Sequence, residues 1–186
     1  MAEDAPALAA LEIGSIARGV SVVDALVKRA EVRLLRSDPV SPGKLLLVFV
    51  GGEAEVFESL AAAEEVAGTE LLDRLLLPFV HREVVAALDG VDRPPVNDAL
   101  GILEMKTATA TILAADAALK MAEVHLVALH LARGIGGKGY IVFTGTHDSV
   151  EASLEAGDAA VAPELRAGYE LIARPHPDLD WALGRL

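Results

Sequence analysis

The hydrophobic pattern of this chain runs through one series of elements and then repeats it. Leu8 to Ile13 reads as a strand. Ile16, Val20, Val23 and Val27 recur at three-to-four spacing and predict an inward stripe on a helix over Ser15 to Arg29. Val32 to Arg36 and Lys44 to Val50 predict strands joined by the segment SDPVSPG. Glu53 to Ala67 predicts a second helix with Val56, Leu60, Ala63 and Ala67 inward, and Gly51-Gly52 with acidic residues suits its N-terminus. Glu70 to Leu77 is the last strand, ended by Pro78, and Arg82 to Leu88 is a short helix. Gly and paired Pro break regular structure in DGVDRPPVN, Asp89 to Asn97. The order then recurs as strand 99–105, helix 107–121, strands 124–131 and 138–144, helix 147–161, strand 168–174 and a short terminal helix from Asp178.

The residues repeat along with the pattern. Residues 7–34 and 99–126 align without a gap, with 11 of 28 positions identical, among them Glu12/Glu104, Asp24/Asp116 and Lys28/Lys120. After a two-residue shift, 43–60 lies over 137–154 with eight identities in 18. Two copies are too few for a solenoid. Each is about ninety residues, long enough to carry its own core. The expected domains are residues 1–90 and 98–186, with 91–97 as linker. The alternation of helices and strands, with a tight hairpin in each copy, implies an α+β fold: a mostly antiparallel sheet with helices on one side.

Composition narrows the chemistry. The hydrophobic fraction is 53% and the mean hydropathy +0.42, yet no window reaches 18 uninterrupted strongly apolar residues. The acidic start MAEDAPALAA lacks the basic and apolar regions of a secretory signal, which implies a cytoplasmic protein and no membrane partner. The chain has no cysteine, which excludes disulfides, thiolate metal sites and thiol catalysis. Its net charge of −12 argues against nucleic acid as a partner.

Gly134-Ile135-Gly136-Gly137-Lys138-Gly139 matches G-x-G-x-x-G, but YIVFTG follows as a strand, where a dinucleotide site needs a helix. The segment reads instead as a turn. The corresponding loop of the first copy is Asp38-Pro39-Val40-Ser41-Pro42-Gly43, and both loops precede a Gly-Lys pair. Backbone groups at such loops could serve a ligand or a pore. His81, His125, His130, His147 and His176 form no metal-binding spacing, so no metal is expected; His125 and His147 read as surface residues. Glu12/Glu104 and Asp24/Asp116 read as structural carboxylates, for example accepting backbone N–H groups. Lys28 and Lys120 lie near helix C-termini, where the dipole favours a cation, or else reach a neighbouring subunit.

At ALGILEMKTATATILAADAALKMAEV (99–124), LEIGSIARG (11–19), SPGK (41–44), GIGGK (134–138) and ARPH (173–176), the chain resembles bacterial microcompartment shell proteins. It resembles in particular their tandem-domain, trimer-forming class, the propanediol-utilisation T type. The resemblance covers essentially residues 7–182. It implies two permuted ferredoxin-like domains per chain and a pseudohexameric homotrimer that tiles with hexameric and pentameric shell proteins. It implies a central pore at Pro39, Val40, Ser41, Pro42 and Gly43, with Gly134, Ile135, Gly136 and Gly137 as a possible second-copy loop. It maps edge contacts to Lys28, Lys120 and Arg174, the last without a counterpart in Pro78-Phe79-Val80-His81. Some members carry a cluster-ligating cysteine where this chain has Ser41, so no iron–sulfur cluster or other cofactor is expected.

The expectation is therefore a structural tile and not an enzyme. Two other readings remain open. A trimeric ferredoxin-like regulator would need a subunit cleft for a small molecule. An enzyme using the repeated carboxylates would need a nucleophile and base, which the sequence does not supply. For the pore, a loop with Asp38 but no Lys or Arg before Lys44 implies weak charge selection, with hydrogen-bonding molecules preferred.

Overall fold

The computed structural model describes residues 6–90, 94–96 and 98–179. The start of the chain, part of the linker and the terminal helix beyond Leu179 lie outside the described residues. The chain divides into two compact units. The first is Met1–Arg82 with Arg133–Gly137, and the second is Glu83–Ala132 with Lys138–Leu186.

The first repeat runs β1 (Ala7–Ile13), α1 (Ile16–Arg29), β2 (Arg33–Val40), β3 (Lys44–Gly51), α2 (Glu53–Ala67), β4 (Leu71–Leu77) and α3 (Arg82–Asp89). The second runs β5 (Ala99–Met105), α4 (Ala108–Met121), β6 (Val124–Leu131), β7 (Gly139–Gly145), α5 (His147–Ala159) and β8 (Arg166–Ala173). A single helical turn precedes β4 at Gly68–Glu70 and β8 at Pro163–Leu165.

The two sheets share one topology, β2-β3-β1-β4 and β6-β7-β5-β8, with every pairing antiparallel. Even their irregularities match. The register shifts at Glu12/Ile13 and again at Glu104/Met105, and at Leu34/Arg36 and again at Leu126/Ala128. Strand position explains the residue pattern. β1 and the middle of β3 are central and buried on both faces, so they read as apolar runs, interrupted in β1 by Glu12. Edge strand β2 mixes buried and exposed positions.

In the first unit, Leu11, Ile13, Leu47 and Phe49 meet Val22 and Leu26 of α1 and Val56, Leu60 and Ala63 of α2. The α2 face is the one its spacing predicts. The α1 face is not. Gly19, Val22 and Leu26 are buried, with Val23 beside them, whereas Ile16, Val20 and Val27 are 44%, 63% and 46% exposed. Gly19 fixes the choice: a Cβ there would overlap the side chain of Leu45, so this face alone can lie so close to β3. Side-chain oxygens of Ser15 and Thr107 cap α1 and α4 by accepting from Arg18 N–H and Ala110 N–H, each at 3.2 Å.

Candidate functional site: the hairpin tip and the exposed edges

The predicted loop over Pro39 to Gly43 is shorter than expected. β2 continues through Pro39 and Val40, which pair with Leu45 and Lys44. Proline is tolerated there because β2 is an edge strand and one side of it needs no ladder partner. The turn proper is Ser41–Gly43. Gly43 N–H donates to Val40 O at 2.9 Å, and its φ of 113° requires glycine.

The glycine loop belongs to the same unit as this tip. A Cβ on Gly137 would lie 3.0 Å from the Ser41 carbonyl oxygen, so the absence of a side chain allows the two loops to meet. Arg133 Nη2 lies 3.2 Å from Asp38 Oδ2, and Arg36 Nε lies 3.9 Å from the same atom. The tip was expected to carry an acid and no base. The fold corrects this by bringing in Arg133 from a distant part of the chain, with its side chain 70% exposed.

Below the tip, Lys44 Nζ donates to Glu12 Oε2 at 2.6 Å, and Glu12 is fully buried. The second copy repeats the pair as Lys138 and Glu104 at 2.8 Å, in a more exposed setting. Glu12 and Glu104 thus hold the lysines of the Gly-Lys pairs, a structural role for the repeated carboxylates. The signal was present, since Glu and Lys recur together in both copies.

The candidate edge lysines are each tied to their own helix. Lys28 Nζ reaches Asp24 at 2.6 Å and Lys120 Nζ reaches Asp116 at 2.6 Å, both at i,i+4 spacing. The first pair is exposed at both ends, whereas Asp116 is buried. Arg174 is exposed and holds a φ of 52°, the left-handed region that non-glycine residues seldom occupy. Its N–H donates to Asp98 O at 2.9 Å. The fold leaves Arg174 on the segment after β8 and the lysines at helix ends, so these three cations do not form one cluster in sequence or element.

The histidines have local roles. His125 Nδ1 lies 3.0 Å from Glu83 Oε1, and His176 Nδ1 accepts from Asp178 N–H at 3.2 Å. His130 stacks on Tyr140 with centroids 5.0 Å apart and planes 3° apart. Burial raises the Tyr140 phenol above its usual 10.0. The folded chain therefore resists ionisation there, and stability falls as pH climbs past about 10, where the unfolded phenol ionises. Among the described residues, no group of three or more acidic or histidine side chains could hold a metal ion. No described helix is long and apolar enough to cross a membrane.

Comparison with known proteins follows the same two-fold pattern. The BMC domain family matches residues 7–80 and again 99–175. The bacterial microcompartment shell protein PduT of Citrobacter freundii is 38% identical over 174 residues, 93% of this chain and 95% of that protein. The crystal structure of a microcompartments protein from Desulfitobacterium hafniense DCB superposes with a TM-score of 0.88 at 36% identity, covering 94% of this chain and 98% of that one. A fused permuted hexameric shell protein from the RMM microcompartment shares the fold at a TM-score of 0.63 and 22% identity, over 88% and 84% of the two chains.

Proposed function

We propose, since this chain belongs to the bacterial microcompartment shell protein family and carries its BMC domain twice, that three copies close into a ring of six similar domains. The observation that carries this reading is a difference between two equivalent helices. Ile16, Val20, Val23 and Val27 of α1 align with Ala108, Ile112, Ala115 and Leu119 of α4. The α4 residues are buried in the single chain, 0% to 5% exposed, while Ile16, Val20 and Val27 are not. A closed ring gives α1 the burial that α4 already has. A second copy of the chain is the natural source, because it presents the same family of surfaces.

The proposed domains remain residues 1–90 and 98–186 with 91–97 between them. The tip around Ser41, with the loop Gly134 to Gly137, is the proposed lining of a pore on the threefold axis for small metabolites. Ser41 offers a hydroxyl and peptide groups. Arg133 and Arg36 both flank Asp38 beside it, so the tip carries two cations to one anion in each chain along with its local dipoles. No iron–sulfur cluster is proposed, because a Ser41 oxygen replaces the thiolate such a cluster requires. Lys28, Lys120 and Arg174 are proposed as edge contacts to other hexameric and pentameric shell proteins. Heterologous side contacts of this kind propagate in two dimensions.

Sedimentation equilibrium tests the ring directly. The expected mass is three chains, and a stable monomer or dimer refutes it. A structure of the trimer with Ser41 far from the threefold axis would remove the pore assignment while leaving the ring.

A further inference from the structure

Glu83, in the first turn of α3, holds the start of β6 at two points. Its Oε2 accepts from Leu126 N–H at 2.8 Å, and its Oε1 lies 3.0 Å from His125 Nδ1. Both partners lie in the second unit, to which α3 belongs from Glu83 onward.

The two halves of this contact each have a counterpart elsewhere in the chain. The receptor is the start of β6, and its counterpart is the start of β2. Arg33 and Leu34 pair with Val50 and Phe49, as His125 and Leu126 pair with Thr144 and Phe143. The register then shifts at the same step in both strands. Leu34 N–H therefore sits on the same outer edge as Leu126 N–H, with Arg33 in place of His125. The donor of the carboxylate is Glu83. Leu77 pairs with Leu8, and Ile172 pairs with the equivalent Leu100. Counting forward equally from Leu77 and Ile172 places His176 over His81 and Asp178 over Glu83. Asp178 is the second residue of a helical turn that begins at Pro177, its carboxylate is exposed, and its neighbour His176 lies 3.6 Å away.

We propose that Asp178 of one chain grips the start of β2 in the next chain, with its carboxylate on the Arg33 guanidinium at the Leu34 end of the strand. The partner is a second copy of this chain. The inference rests on the ring reading above, in which the segment after β8 of one chain stands to β2 of the next as α3 stands to β6 within one chain. The exchange of residue types fits. Aspartate is one methylene shorter than glutamate, while arginine reaches farther than histidine. The guanidinium is also always charged and can engage both carboxylate oxygens. The joint between chains is thus weighted towards the side-chain pair, and the joint within a chain towards the backbone N–H.

The chain contains no cysteine, which makes cross-linking specific. The variant carrying Asp178→Cys and Arg33→Cys, treated with a short bis-maleimide, should run as a covalent trimer on a denaturing gel. Neither single variant should do so. If the double variant sediments as a trimer but stays at monomer mass after treatment, the joint is wrong and the ring stands. If the wild-type protein does not sediment as a trimer, the ring itself is wrong and the joint falls with it. A charge exchange gives a second reading. Asp178→Arg or Arg33→Glu alone should raise the concentration at which the trimer dissociates about tenfold, as like-charge contacts do. The two together should recover most of that loss. Failure of the exchange to recover, with the single variants folded, overturns the proposal.

Discussion

At the scale of single residues, the two repeats fill one contact in opposite ways. Gly19 of α1 faces Leu45 of β3, and the equivalent pair in the second copy is Thr111 and Gly139. Volume on the strand in one copy has moved to the helix in the other, and neither glycine has room for a Cβ. Gly19→Ala and Gly139→Ala should each lower unfolding stability in urea by about 1–3 kcal/mol, the cost of overpacking a filled core. A second pair has diverged in bonding. Ser59 Oγ donates to Leu26 O at 3.0 Å, while the equivalent Ser153 Oγ is buried with no hydrogen-bond partner among the described residues. Ser59→Ala should cost about 1 kcal/mol. Ser153→Ala should be neutral or slightly stabilising, because it removes a desolvated hydroxyl. Parallel denaturant curves for the two variants check this.

At the scale of elements, order and approximate limits were legible because period and punctuation agree. Val56, Leu60, Ala63 and Ala67 mark one face of α2, and Pro78 and the glycines mark the breaks. The inward face of α1 was not legible. Its sequence carries apolar residues on two faces, Val22 with Leu26 and Ile16 with Val20 and Val27, and periodicity alone does not say which meets the sheet. Gly19 was the deciding residue, and its meaning depends on Leu45 across the fold. Leu26→Ala should therefore destabilise the chain by about 2–5 kcal/mol. Val20→Ser should change the stability of the monomeric fold by only about 0.5 kcal/mol, yet weaken assembly. Thermal or urea unfolding beside sedimentation separates the two effects. The candidate tip was readable in part. Proline and glycine marked the turn, but the Asp38–Arg133 pair joins positions with no shared local pattern, so only the fold brings them together.

At the scale of the whole molecule, the duplication makes the proposed contact residues of the two copies related without making them alike. Lys28 sits beside an exposed Asp24, and Lys120 beside a buried Asp116. Arg174 has no arginine counterpart after β4. Lys28→Ala with Lys120→Ala, and separately Arg174→Ala, should reduce the sheets visible by negative-stain microscopy while the sedimenting mass stays that of the trimer. Each contact is worth about 0.2–1 kcal/mol, and a lattice repeats it at every edge.

The hold of Glu83 on β6 has a consequence for how such a ring responds to dilution. That joint is made inside one polypeptide, so it forms at an effective concentration in the millimolar range, whatever the amount of protein present. In the proposed ring, half of the six equivalent joints are of this tethered kind. The three between chains alone feel the surrounding concentration, so dilution opens the proposed ring at three seams and releases whole chains.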